Sequence, residues 1–179
     1  MRTSLILFFV VFIVSCNQNV ARRPKTQTPN NFYKEVVEQN KKLNKREELM
    51  IENVLKKDTI NAFNVSSSGF WYAYFVKDSL ANITPKTNDV VTLEYNIMDL
   101  YGNEIYKNQE LTYKVDKENI ITGLAEGVKL MKEGEEMLFV IPSYVAYGIV
   151  GDGNKIGINK TLKSRVKLNK IKRTKNENN

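Results

Sequence analysis

The sequence predicts an α+β domain, an antiparallel sheet laid on one short helix, with a longer amphipathic helix ahead of it. Three observations predict this class. Apolar residues alternate with polar ones in separate stretches (Val91, Leu93, Tyr95 and Ile97; Leu111, Tyr113 and Val115; Met137, Phe139 and Ile141; Leu162, Val166 and Leu168), which is the period of a strand with one buried face. Between the second and third stretches, Leu124, Val128 and Met131 are spaced four and three apart, as on one face of a helix. Residues 31–58 contain neither Gly nor Pro and carry Phe32, Val36, Leu43, Met50 and Val54 among Lys and Glu, an amphipathic helix of about seven turns. One short helix on a run of strands is an α+β arrangement, and no internal repeat is present.

At 179 residues the chain holds one domain plus extensions, since single domains commonly run to roughly 100–150 residues. A hydrophobic content of 42%, with nine Tyr and eight Phe, supplies a core, while 26% charged residues argue for a soluble body. The absence of histidine removes the commonest general base and metal ligand. A single cysteine excludes an intrachain disulfide and a cysteine-type zinc site. No cofactor and no metal are expected.

The elements follow in order. Arg2 and the apolar run Leu5 to Val14 read as a signal peptide over residues 1–15, because about ten apolar residues are too few to span a bilayer. Ile13-Val14-Ser15-Cys16 matches a bacterial lipobox, with Cys16 as the lipid acceptor and the membrane as a partner through its acyl chains. Asn17 is not the aspartate that signals inner-membrane retention in many bacterial lipoproteins, so an outer-membrane anchor facing the periplasm is expected. Residues 16–30 form a flexible tether rich in Asn, Gln, Thr and Pro. The helix over 31–58 packs on its own domain or pairs with a second copy in a homodimer. Ser66-Ser-Ser-Gly69 breaks the chain before the aromatic strand Phe70–Val76, and the domain extends over 66–173. Gly134 ends the short helix. Residues 174–179 form a disordered tail. The net charge of +7 comes without the aromatic or glycine signatures of a nucleic-acid binder, so no nucleic-acid partner is expected.

Gly-rich phosphate loops, nucleophile elbows and histidine triads are absent from the sequence. What stands out is aromatic and aliphatic surface at strand ends, in Tyr95, Ile120, Ile121, Leu124, Tyr147 and Ile156, enough to form core or to line an apolar pocket with hydroxyls at its rim.

Five blocks carry a resemblance: Val91-Thr-Leu-Glu-Tyr95, Ile120-Ile-Thr-Gly-Leu-Ala-Glu-Gly127, Lys132-Glu-Gly-Glu135, Ile141-Pro-Ser-Tyr-Val-Ala-Tyr-Gly148 and Ile156-Gly-Ile-Asn-Lys-Thr-Leu162. In this order the chain resembles FKBP-type peptidyl-prolyl cis-trans isomerases from about Asp89 to Lys172. The longer strings from Tyr113, Lys129 and Gly151 are similar to the gliding-motility-associated isomerase lipoproteins of gliding bacteria. The resemblance implies a curved sheet wrapped on the short helix and a pocket for proline-containing protein clients. It implies Tyr95, Ile120, Ile121 and Leu124 as pocket residues, Tyr147 as the hydroxyl that meets a substrate carbonyl, an Ile121 backbone N–H beside it, and Ile156 as an aliphatic wall. Leu111 stands where the family usually has an aromatic wall.

Four positions depart from the pattern. Ile105 stands for the usual phenylalanine, Tyr106 for the aspartate, Leu124 for the tryptophan at the pocket floor, and Ser164 for a further phenylalanine. By this pattern Ser164 enlarges the pocket and adds a hydroxyl, which slows turnover and weakens macrolide binding. Two functions follow from the resemblance: a lipid-anchored prolyl isomerase assisting folding of cell-envelope proteins, including those of a gliding machine, and an FKBP-shaped chaperone or binding module with little turnover. A lipoprotein that uses the fold only for stability is a third.

Overall fold

A computed structural model describes residues 29–77 and 83–174. The signal segment, Cys16, the tether up to residue 28 and residues 175–179 lie outside the described residues. The chain divides into two compact units, residues 1–37 and 38–179, and helix α1 (Pro29–Leu55) begins in the first and ends in the second. Proline is compatible with a helix's first turn because its missing N–H is unpaired there in any case. At the other end the helix stops three residues before the expected Asp58. The Asp58 carboxylate accepts the N–H groups of Ile60 and Asn61, both at 3.1 Å, and so forms a turn instead of a further helical step.

Within the larger unit, α1 is buried along a face that shares only Val54 with the stripe expected from the sequence. Ile51 is fully buried against Trp71, Leu100 and Val140, with Val54 and Leu55 beside it, whereas Leu43 and Met50 of the expected stripe are 54% and 43% exposed. A step of one residue turns a helix by about 100°, so packing through Ile51 carries its neighbour Met50 off the sheet.

The sheet comprises β1 (Asn64–Val65), β2 (Trp71–Val76), β3 (Val90–Asp99), β4 (Glu104–Lys114), β5 (Glu136–Ile141) and β6 (Leu162–Lys172). It is antiparallel throughout, in the order β1-β2-β5-β6-β3-β4. Helix α2 (Thr122–Val128) lies on the main core, where Leu124 and Val128 meet Phe139, Ile141, Leu93 and Val166. It ends earlier than the apolar spacing to Met131 suggested, giving way to tighter turns in which the Leu130 and Met131 N–H groups bond the Gly127 and Val128 carbonyls at 3.0 Å. Two glycines let α2 approach so closely. A Cβ on Gly123 would lie 2.4 Å from Ile141 Cγ2, and one on Gly127 would lie 2.8 Å from the Phe139 ring.

Strand β5 is buried from Met137 to Ile141 on both faces. Met137, Phe139 and Ile141 belong to the core that contains α2, and Val140 belongs to the cluster that contains Ile51. At the C-terminal end, Arg173 Nη1 pairs with the buried Asp89 carboxylate at 2.7 Å, and the Thr174 hydroxyl donates to the Asn88 carbonyl. Thr174 is thus tied to the turn that precedes β3, and the rest of the expected tail lies outside the described residues.

Candidate active site

An apolar cavity opens where α2, β3, β4 and the segment after β5 converge. Its volume is about 440 Å³, inside the roughly 300–1,000 Å³ typical of small-molecule clefts. Strand β3 contributes Tyr95 and Ile97, β4 contributes Leu111, and the chain entering α2 contributes Asn119, Ile120, Ile121 and Thr122. Leu124, only 4% exposed, projects from α2, and Ala146 and Tyr147 close the remaining side. Six of the residues singled out in the sequence therefore meet here: Tyr95, Leu111, Ile120, Ile121, Leu124 and Tyr147.

Ile121 occupies the N-cap of α2 with φ −58° and ψ 135°. Its carbonyl accepts the Leu124 and Ala125 N–H groups, both at 3.0 Å, while its side chain makes no capping bond. A polar cap is the usual choice at this position. Isoleucine gives up that bond and extends the apolar wall instead. Its own N–H bonds no carbonyl among the described residues.

The rim carries two phenols. Burial raises the pKa of Tyr95. Burial raises that of Tyr147 too, and the neighbouring Tyr95, Asp152 and Tyr106 push it the same way. Both hydroxyls keep their protons at neutral pH and remain able to donate.

Ile105, Tyr106 and Ile156 stand behind this wall and do not line the cavity. Ile156 is 3% exposed and packs with Ile97 and Leu162, and Tyr95, Ile121, Ala146 and Tyr147 rest against that cluster together with Ile105 and Tyr106. The Tyr106 hydroxyl donates to Asp152 Oδ2 at 2.5 Å, and Lys155 Nζ lies 5.1 Å above the Tyr106 ring. The phenol at the position of the family's aspartate thus meets a carboxylate from a later loop.

Ser164 is buried, but it adds no hydroxyl to the cavity. It sits on β6 opposite Phe139, and its Oγ donates to the Asn96 carbonyl at 2.6 Å. The Arg165 N–H reaches the Asn96 side chain at 3.0 Å. Asn96 lies where the β3–β4 register shifts between Tyr95 and Ile97, so a small hydroxyl residue serves a ladder irregularity there.

Ile97, Asn119, Thr122 and Ala146 line the cavity without having been singled out. Ile97 follows Tyr95 in the β3 alternation and Ala146 precedes Tyr147, so both had a local signal. Among the described residues, no group of three or more His, Cys, Asp or Glu side chains is placed to hold a metal ion.

Residues 81–169 match the family model for FKBP-type peptidyl-prolyl cis-trans isomerases. The chain belongs to this family. Among curated FKBP-type proteins it is 41% identical over 91 residues to a probable isomerase, FkpA, of Neisseria meningitidis, an alignment covering 49% of this chain and 33% of the relative. It is 33% identical over 108 residues to FkpA of Buchnera aphidicola, covering 58% of this chain and 40% of that one. The matched region thus spans about a third to two fifths of the length of these relatives. Of solved structures, FkpA from Escherichia coli superposes with a TM-score of 0.58 at 25% identity, covering 96% of this chain and 83% of that one. A peptidyl-prolyl isomerase from Pseudomonas syringae gives a TM-score of 0.60 at 20% identity, covering 74% and 96%, and shares the FKBP fold.

Proposed function

We propose that this FKBP domain catalyses cis-trans isomerisation of Xaa-Pro bonds in cell-envelope proteins, held at the outer membrane by lipid on Cys16. The observation that carries the reading is the apolar cavity lined by Leu111, Ile120, Ile121 and Leu124, with the phenols of Tyr95 and Tyr147 in its wall. An amide resists rotation by roughly 18–20 kcal/mol because resonance makes it planar and dipolar. Twisting it removes much of that dipole. A site that strips water from the planar amide and offers apolar surface in return therefore favours the twisted state. The proline ring enters between Leu111, Ile120 and Leu124, and the Tyr147 hydroxyl and Ile121 N–H fix the neighbouring carbonyls. No proton need be transferred.

The clients in this reading are proline-containing envelope proteins, those of a gliding machine included, on the strength of the motif resemblance. Exposed Leu43, Leu49 and Met50 on α1 favour a homodimer formed through that helix.

A second reading, a binding module of an envelope complex with little turnover, is favoured by one observation. Tyr106 puts a phenol where the family's carboxylate stands, and that phenol is committed to Asp152.

Proline-limited refolding of a test protein separates the two. Unassisted Xaa-Pro isomerisation takes tens to hundreds of seconds. Acceleration by the purified protein supports the enzyme, and client binding without acceleration at micromolar protein supports the module. Cys16→Ser is expected to release the protein from membranes; retention there would contradict the lipid anchor.

A further inference from the structure

Glu47 lies on the sheet-facing side of α1, four residues before the buried Ile51. Its carboxylate accepts three hydrogen bonds from neutral donors far away in sequence. Oε1 takes the Ser143 N–H at 2.7 Å and the Thr161 hydroxyl at 2.5 Å, and Oε2 takes the Ser143 hydroxyl at 2.7 Å. Hydrogen bonds to an ionised acceptor are roughly twice as strong as neutral ones and more directional.

Ser143 and Thr161 are the two roots of one excursion of the chain. Ser143 follows β5 by two residues, and Thr161 directly precedes β6. Between them lie Ala146 and Tyr147, which wall the cavity, and Asp152 and Ile156, which back that wall. The excursion is also tied internally. The Ser143 carbonyl accepts the Ala146 and Gly148 N–H groups at 3.0 and 2.8 Å, and the Gly148 carbonyl accepts the Asn159 N–H at 2.7 Å. A displacement of Ser143 therefore moves the turn that bears Tyr147. Next along the helix, Glu48 lies 3.3 Å from the Tyr144 hydroxyl, which also faces the Gly69 carbonyl at 3.2 Å. Successive carboxylates of α1 thus grip successive residues at the base of the turn.

We propose that Glu47 is a positioning residue of the active site, holding both roots of the 143–161 excursion so that Tyr147 and Ala146 stand at the substrate amide. This role rests on the isomerase reading given above. It makes the helix part of the catalytic architecture, since a site that works by desolvation and orientation loses rate when a wall shifts by even 1 Å.

The test uses the full-length protein, with kcat/KM on a short Xaa-Pro peptide measured alongside amide hydrogen exchange. In Glu47→Ala, kcat/KM is expected to fall roughly ten- to a hundredfold, with faster exchange at Ala146, Gly148 and Asn159 and unchanged exchange in β3 and β4. Glu47→Gln, which keeps an acceptor oxygen, should recover most of the rate. Thr161→Val, which removes one bond, should show a smaller loss of the same kind and serves if Glu47→Ala fails to fold. Ile51→Val loosens helix packing without touching the clamp and should leave kcat/KM within about twofold of wild type. Unchanged kcat/KM in Glu47→Ala despite faster exchange overturns the proposal, because Glu47 is then only a staple; so does an equal loss in Ile51→Val. A wild-type protein without isomerase activity sinks the isomerase reading instead. The clamp is then judged on exchange at the same amides, and unchanged exchange in Glu47→Ala overturns it.

Discussion

The Tyr106 hydroxyl donates a 2.5 Å hydrogen bond to one oxygen of Asp152, and the other oxygen accepts the Asn154 and Ile156 N–H groups at 2.8 Å each. Strand β4 thereby fixes the loop that backs Tyr147. The bond from Tyr106, followed by those two N–H groups, holds the Asp152 carboxyl below the usual range. The same bond raises the Tyr106 phenol.

The signs of these shifts set a pH window for loop order. A depressed carboxyl contributes stability above its unfolded pKa, near 4, and the contribution is lost as pH falls through the lower folded value. A raised phenol contributes below its unfolded pKa, near 10, and the contribution is lost as pH rises through the higher folded value. The Ile156 amide resonance is therefore expected to hold steady between these limits and to shift below about pH 4. Tyr106→Phe should move the start of that shift to higher pH, and an identical acid titration in the variant would count against the bond.

Tyr113 is 2% exposed on β4, and its hydroxyl is a buried polar atom without a hydrogen-bond partner among the described residues. Leaving such a group unpaired costs about 1–3 kcal/mol. Tyr113→Phe removes the hydroxyl and keeps the ring. The expected outcome is a rise in unfolding free energy of up to about 1 kcal/mol, measured by urea denaturation with an unchanged m-value. A loss of similar size would show that the hydroxyl is satisfied in solution.

Alanine in place of Gly127 would ordinarily favour a helix by about 1 kcal/mol. Here its Cβ would meet the Phe139 ring at 2.8 Å, and overpacking a core costs about 1–3 kcal/mol. The clash should match or exceed the propensity gain. Gly127→Ala is expected to lower thermal stability, and Gly123→Ala, whose contact with Ile141 is 2.4 Å, should lower it more. A stabilised Gly123→Ala variant would contradict the close packing of α2.

Tyr147→Phe keeps the ring in the cavity wall and removes only the rim hydroxyl. If that hydroxyl fixes a substrate carbonyl, kcat/KM for an Xaa-Pro peptide should fall about tenfold, the equivalent of one modest hydrogen bond of about 1.4 kcal/mol. Thermal stability should be unchanged. Wild-type kinetics in this variant would remove Tyr147 from the chemistry and leave it a wall residue.

The strands with one buried face were legible because their alternation is local. Val91, Leu93, Tyr113, Val166 and Leu168 are core residues as the pattern requires. Strand β5 and helix α1 were harder, since burial of Val140 against Ile51 depends on which face the helix turns to the sheet. Within the site, residues recognisable by type and motif came together around one cavity. The roles of Tyr106, Ser164 and Glu47 were not legible, because each is set by a partner distant along the chain: Asp152 at 46 positions, Asn96 at 68, and Ser143 and Thr161 at 96 and 114. A glutamate on a helix rich in charge has no local mark distinguishing a clamp from a solvated side chain.

The central claim is that the apolar wall itself promotes rotation of the Xaa-Pro bond, and cis-trans exchange in a short Xaa-Pro peptide, followed by NMR, tests it most directly. Wild-type protein should raise the exchange rate well above the spontaneous value, which corresponds to tens to hundreds of seconds. Ile121→Lys, which sets an ammonium in the wall while leaving the Tyr95 and Tyr147 hydroxyls in place, should lower that acceleration about a hundredfold, or about 2.7 kcal/mol. Exchange at the spontaneous rate with wild-type protein, or undiminished acceleration by a folded Ile121→Lys variant, would contradict the account.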